Sequence, residues 1–137
     1  MKPQIVLDAS ATLAVIFKES PADVGVRQVL MQYRPTSPTL WLLEMTNGVL
    51  KRERRGLIPQ AAVGGLLLEI DRIPVEFDLW PLTLTAASIG ALARPHQLTT
   101  YDAAYLEVAI RRGLPLCSLD ANLQTAAKRV GVSLVVA

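Results

Sequence analysis

Two short apolar runs in this chain end on an aspartate: Ile5-Val6-Leu7 leads into Asp8, and Leu116-Cys117-Ser118-Leu119 leads into Asp120. Continuous apolar runs of this length, bounded by helical patterns, read as strands buried on both faces. A carboxylate at the end of such a strand has to be solvated, paired or ligated. The pattern therefore narrows the fold to a parallel sheet covered by helices. Its acids fall on the carboxyl edge of the strands, where sheets of this kind bind their ligands.

The rest of the chain alternates in the same way. Gln4–Asp8 reads as a strand. Ala9–Lys18 reads as a helix with Leu13, Ile16 and Phe17 on one face. Ser20-Pro21 opens a second helix with proline at its first position. Pro35 and Pro38 limit Tyr33–Thr39 to at most a short strand and a turn. Helices follow over Leu40–Arg55 and Pro59–Arg72. Gly64-Gly65 in the second of these costs about 1 kcal/mol each in propensity and suggests close packing. Val75–Asp78 is a strand candidate, Leu82–Ala93 an Ala-rich helix and Arg94–Gln97 a loop. Thr100–Arg112 is a helix stopped by Gly113, Leu114–Leu119 a strand, Asp120–Val130 a helix and Val132–Val136 a last strand. The expected architecture is a three-layer α/β/α domain spanning residues 1–137, with about four to five parallel strands and right-handed crossovers.

Composition removes several function classes. With 51% hydrophobic and 19% charged residues, the chain is not of the disordered type. The single cysteine, Cys117, excludes an internal disulfide and a cysteine metal cluster, and inside a strand it reads as a small buried hydrophobe. No apolar run approaches the ~18 residues of a membrane span. Met1-Lys2-Pro3 leads straight into a strand, so a soluble cytoplasmic protein with no membrane association is expected. His96 is the only histidine, which excludes a two-histidine ribonuclease, and it reads as a surface residue. A Gly-x-Ser-x-Gly elbow and a Gly-x-Gly-x-x-Gly fingerprint are both absent.

Two more acids join Asp8 and Asp120. In Leu98-Thr99-Thr100-Tyr101-Asp102, either threonine can cap the helix, which places Asp102 in or just after the first turn, where the dipole favours a carboxylate. Taken alone it is an ordinary helix-start acid. Glu44 interrupts the apolar segment Leu40–Met45 and forms one stripe with Asn47 and Lys51, at i, i+3 and i+7. It joins the other three only if its helix crosses the carboxyl edge of the sheet. Ser10 could cap the first helix, the commoner role, or touch a ligand. The basic run Lys51–Arg55 suits either a helix end or a phosphate. Four carboxylates in one pit repel each other unless cations intervene. Mg²⁺ or Mn²⁺ meets that need, and two such ions about 4 Å apart can activate a water for in-line phosphoryl displacement. With 4 of the 12 acids in the pit, the remaining 8 face 14 Lys and Arg, a basic surround suited to a polyanion.

Four segments together resemble the PIN-domain family of metal-dependent ribonucleases, most closely the VapC-type toxins of prokaryotic toxin–antitoxin pairs. They are Ile-Val-Leu-Asp-Ala-Ser-Ala, Leu-Leu-Glu-Met-Thr-Asn-Gly-Val-Leu, Leu-Thr-Thr-Tyr-Asp-Ala-Ala-Tyr-Leu-Glu-Val-Ala and Leu-Cys-Ser-Leu-Asp-Ala-Asn-Leu. The resemblance spans nearly the whole chain. It implies that Asp8, Glu44, Asp102 and Asp120 hold Mg²⁺ or Mn²⁺, with Thr99 and Ser10 as polar helpers and Asn47 one turn beyond the glutamate. A further acid that some relatives carry after the last aspartate is Asn122 here. The implied activity is endoribonucleolytic cleavage of structured RNA, such as tRNA or ribosomal RNA, by a metal-activated water, leaving a 3′-hydroxyl and a 5′-phosphate. The implied partners are a second copy of the chain and a small antitoxin, whose helix would lie between Ala9–Gln32 and Leu40–Arg55. The alternatives are a PIN-family nuclease of RNA processing and a catalytically silent domain of the same fold. An aspartyl-phosphate phosphohydrolase would want a second aspartate where Ser10 stands.

Overall fold

The computed structural model describes residues 1–135. Four parallel strands, β1 (Gln4–Leu7), β2 (Arg34–Pro38), β3 (Glu76–Asp78) and β4 (Leu116–Cys117), form a sheet in the order β3-β2-β1-β4. The helices are α1 (Ala9–Ile16), α2 (Ala22–Gln32), α3 (Leu40–Arg54), α4 (Gln60–Asp71), α5 (Ala86–Ala93), α6 (Thr100–Arg112) and α7 (Ala121–Arg129).

The alternation of β1 explains the layers. Val6 points into a cluster with Trp41, Met45, Tyr105 and Leu106, the apolar faces of α3 and α6. Ile5 and Leu7 point the opposite way, into a cluster with Ala11, Val26 and Val29 from α1 and α2. Leu116 and Cys117 of β4 divide between the same two clusters. Side chains that alternate across a strand and are apolar on both faces need a helix layer on each side. The expected α/β/α architecture with a four-stranded parallel sheet is what the chain adopts.

The prolines at 35 and 38 do not keep their segment at the margin. Arg34–Pro38 is an interior strand between β1 and β3, buried from Pro35 onward. The Arg34 N–H donates to the Pro3 carbonyl on the β1 side. Successive N–H groups alternate sides, so the missing donor of Pro35 faces β3 before that strand begins pairing, at Thr36 with Glu76. Pro38 lacks the donor that would next reach β1, and the Ser37 hydroxyl donates to the Leu7 carbonyl instead (2.5 Å). The rule that proline avoids central strands is met here by placing each gap at a pairing boundary.

Other boundaries shift. Pro21 is the residue before α2, not its first helical residue. α5 starts at Ala86, four residues later than periodicity suggests, because Thr85 and Ser88 form a reciprocal capping box. Of Leu114–Leu119 only Leu116–Cys117 is strand. The expected last strand is reduced to a bridge between Leu134 and Leu116, and its end at Val136 lies outside the described residues. Gly64 and Gly65 are not sites of close packing: a Cβ on either would meet nothing within 4 Å. Gly48 is such a site, since a Cβ there would fall 2.7 Å from a Leu13 methyl.

Candidate active site

Asp8 follows β1 directly and serves as the N-cap of α1, accepting from the Ala11 N–H at 3.0 Å. Ser10, inside the first turn and not the cap, donates to the same carboxylate (2.7 Å) and accepts from the Leu119 N–H (3.0 Å). Ser118 donates to the other Asp8 oxygen and accepts from the Asp120 N–H (3.0 Å). Asp120 in turn caps α7 through the Leu123 N–H (2.9 Å). Two serines thus tie the end of β1 to the segment between β4 and α7, and each aspartate lies where a helix N-terminus offers free donors.

Asp102 lies in the first turn of α6, capped by Thr99, whose hydroxyl oxygen accepts from the Asp102 N–H at 3.1 Å. Glu44 arrives from the middle of α3. That helix is fixed against α1 by a buried relay: the Trp41 indole N–H donates to the Thr12 hydroxyl (3.1 Å), which donates to the Asp8 carbonyl (2.7 Å). The Glu44 carboxylate accepts from the Tyr105 hydroxyl of α6 at 2.5 Å.

Together these elements enclose a cleft of ≈ 280 Å³ lined by Asp8, Ser10, Glu44, Asn47, Lys51, Asp102, Tyr105 and Asp120, among others. Five of the six site residues read from the sequence meet there. Thr99 does not line the cleft and acts through the cap beneath Asp102. His96, expected at the surface, is half-buried in a short 3-10 turn and does not line the cleft. Sequence reasoning missed Ser118 and Tyr105. Ser118 was hidden in what reads as an apolar strand, although it lies two residues before Asp120. Tyr105 is one turn after Asp102, on the same face of α6.

Crowding of like charges in a partly dry cleft perturbs the acids. Burial, with a smaller push from Asp102, raises Asp8 to about 6 against the lowering effect of its bonds from Ser118, Ala11 and Ser10. Burial and then the Asp102 charge raise Glu44, and the Tyr105 bond opposes them. Burial and then Asp120 raise Asp102. Burial, then Glu44, hold the Tyr105 phenol protonated far above its ordinary range. Burial pushes the Cys117 thiol up to about 12, in keeping with an inert core position.

Clustered carboxylates whose ionisation is resisted by burial and mutual repulsion have the chemistry of a hard-cation site. Among the described residues no three His, Cys, Asp or Glu side chains stand close enough to enclose an ion by themselves. The side chains that line the cleft are oxygen donors, carboxylates with Ser10 and Asn47, and Mg²⁺ or Mn²⁺ takes one or two such carboxylates and keeps waters and substrate phosphate as further ligands. The donor set therefore fits a divalent cation of this class.

Comparison with known proteins agrees with the geometry. A proten named Ribonuclease VapC3 from Pyrobaculum aerophilum is 29% identical over 120 residues, covering 88% of this chain and 92% of that protein. A Ribonuclease VapC3 from Mycobacterium tuberculosis is 29% identical over 123 residues, covering 90% and 87%. The crystal structure of PAE2754 from Pyrobaculum aerophilum superposes with a TM-score of 0.70 at 24% identity, covering 97% of this chain and 84% of that one, a likeness of fold. The PIN domain family model matches residues 5–129, nearly the whole chain and a stretch that contains Asp8, Glu44, Asp102 and Asp120, and the chain belongs to the PIN-domain family.

Proposed function

We propose that this protein is a divalent-metal-dependent endoribonuclease and the toxin of a toxin–antitoxin pair, with Asp8, Glu44, Asp102 and Asp120 as its metal-holding acids. The observation that carries the reading is that four carboxylates from four separate parts of the chain line one cleft. Its similarity to proteins named Ribonuclease VapC3 supports the choice of RNA and the toxin role. When bound, Mg²⁺ or Mn²⁺ supplies an acidified water and offsets the charge on the phosphate under attack. The chain's own part is to hold the carboxylates at fixed positions: Ser10 and Ser118 orient Asp8, and Thr99 sets the turn that presents Asp102. Lys51 is the one cation lining the cleft among the described residues, and it offers a contact for a substrate phosphate. Structured RNA such as tRNA or rRNA is the proposed substrate.

Because α1 and α3 pack against each other and are joined by the Trp41–Thr12 bond, the proposed antitoxin presents a helix not between Ala9–Gln32 and Leu40–Arg55 but to the exposed apolar wall beside the cleft. There Leu40, Leu43 and Tyr101 border a second hollow that also reaches Glu44 and Asn47. Self-association would cover further exposed apolar side chains such as Leu79 and Leu82. No helix among the described residues is long and apolar enough to cross a membrane.

The test has two arms. Purified protein should cleave RNA with Mn²⁺ or Mg²⁺ and stop in EDTA, and undiminished cleavage in chelator defeats the metal mechanism. Expression alone should arrest growth, Asp102→Asn should not, and the product of the adjacent small reading frame should rescue. A harmless active protein defeats the toxin role and leaves the nuclease.

A further inference from the structure

We infer that Tyr105 is a positioning residue that fixes Glu44 at the cleft, so that one face of α6 sets two of the four acids at once. The inference rests on the reading of Glu44 as a metal-holding acid. Asp8 and Asp120 are each held by a free backbone N–H at a helix start, from Ala11 and Leu123. Glu44 has no such donor. It lies in the interior of a fifteen-residue helix, where the backbone N–H groups are used within the helix. It is also a long side chain, whose rotamer freedom has to be given up to hold the carboxylate in one place. Among the described residues the Tyr105 hydroxyl is the one donor to its carboxylate.

Tyr105 is well suited to the task. It is 1% exposed and belongs to the buried core cluster that includes Trp41 and Met45, so its ring has little room to move. It follows Asp102 by three residues on α6, so both project from the same face of that helix. A phenol donates a hydrogen bond without cancelling charge, whereas an Arg or Lys at this position would pair with the carboxylate and compete with a cation for it. The arrangement is that of an outer partner orienting a ligand.

The test is Tyr105→Phe, which removes only the hydroxyl. Mn²⁺ affinity of the full chain, measured by titration calorimetry in the absence of RNA, should weaken roughly 10- to 100-fold. With an RNA oligonucleotide, kcat should fall at saturating substrate and KM should hardly change. In a Glu44→Gln background the same change should have no further effect on Mn²⁺ affinity, because Tyr105 acts through Glu44. Wild-type affinity and kcat in Tyr105→Phe would overturn the inference. So would an equal loss of affinity in the Glu44→Gln background, which would mark a general loosening of the core. A wild-type chain that neither bound Mn²⁺ nor cleaved RNA would sink the proposed function and this inference with it; a failure confined to Tyr105→Phe leaves the nuclease standing.

Discussion

The two walls of the cleft are built on different principles. On the Asp8–Asp120 side, the acids stand where strands end and helices begin, and each carboxylate receives a backbone N–H. Two serines cross-link them, and Asp8 is 3% exposed. On the Glu44 side, the acid rides on a helix interior and depends on one side-chain donor from another helix. Short-range geometry makes the first wall, and long-range packing makes the second. The first should therefore be stiff and electrostatically costly, the second adjustable and cheaper to neutralise.

Removing charge from each wall tests this most directly. Asp8→Asn and Glu44→Gln should each lower RNA cleavage by more than roughly 100-fold, beyond the usual cost of losing an outer partner. Their stabilities in EDTA should differ. Burial raises the Asp8 carboxyl from its ordinary 3.8 to about 6 in the fold. Between those values the native state holds a proton that the unfolded state has released, so the raised pKa contributes stability that is complete below 3.8 and lost as pH rises through 6. The ionised Asp8 is thus a burden at pH 7. Asp8→Asn should stabilise the metal-free chain by on the order of 1–3 kcal/mol there, and the advantage should shrink toward pH 4. The half-buried Glu44 should give a smaller gain in Glu44→Gln. Thermal melts of both variants at pH 7 and pH 4.5 would check the contrast, and equal gains at pH 7 would break it.

A smaller effect is expected at the open end of the Glu44 wall. Among the described residues Lys51 lines the cleft without an ion-pair partner, whereas Arg52 beside it is engaged by Glu19 and stacks on Phe17. Lys51→Ala in a cleavage-defective Asp102→Asn background should weaken RNA binding and flatten the dependence of log Kd on log salt by about 0.7. An unchanged slope would show that the lysine meets no phosphate.

The smallest effects separate two kinds of glycine. Gly64→Ala on α4 should stabilise by about 0.5–1 kcal/mol, because helix propensity improves and a Cβ meets nothing. Gly48→Ala on α3 gains the same propensity but brings a Cβ within 2.7 Å of Leu13 at the cleft. It should come out destabilising by about 1 kcal/mol, as overpacking usually does. Urea melts of the two variants would show opposite signs, and matching signs would mean that Leu13 swings aside freely.

The same division separates what could be read in advance from what could not. Asp8, Asp102 and Asp120 were legible because a strand end and a helix start are local events, marked by apolar runs, a capping threonine and a stopping glycine. Thr99 was legible as a cap for that reason, and its absence from the cleft follows from the same role. The sheet with helices on both faces was legible from apolar runs with no polar alternation. Strand order, the interior place of the proline-bearing β2 and the brevity of β4 were not, because each depends on which backbone groups find partners far along the chain. Glu44 could be named as an acid in an apolar helix, but no local signal tells which way a helix face turns. The Trp41–Thr12 and Tyr105–Glu44 bonds decide that, joining residues 29 and 61 positions apart. Sequence alone fixed the residue types at element boundaries, since local backbone chemistry demands them. Tertiary packing alone decided which of those boundaries meet, since burial and hydrogen-bond satisfaction are settled only when all the elements are in place.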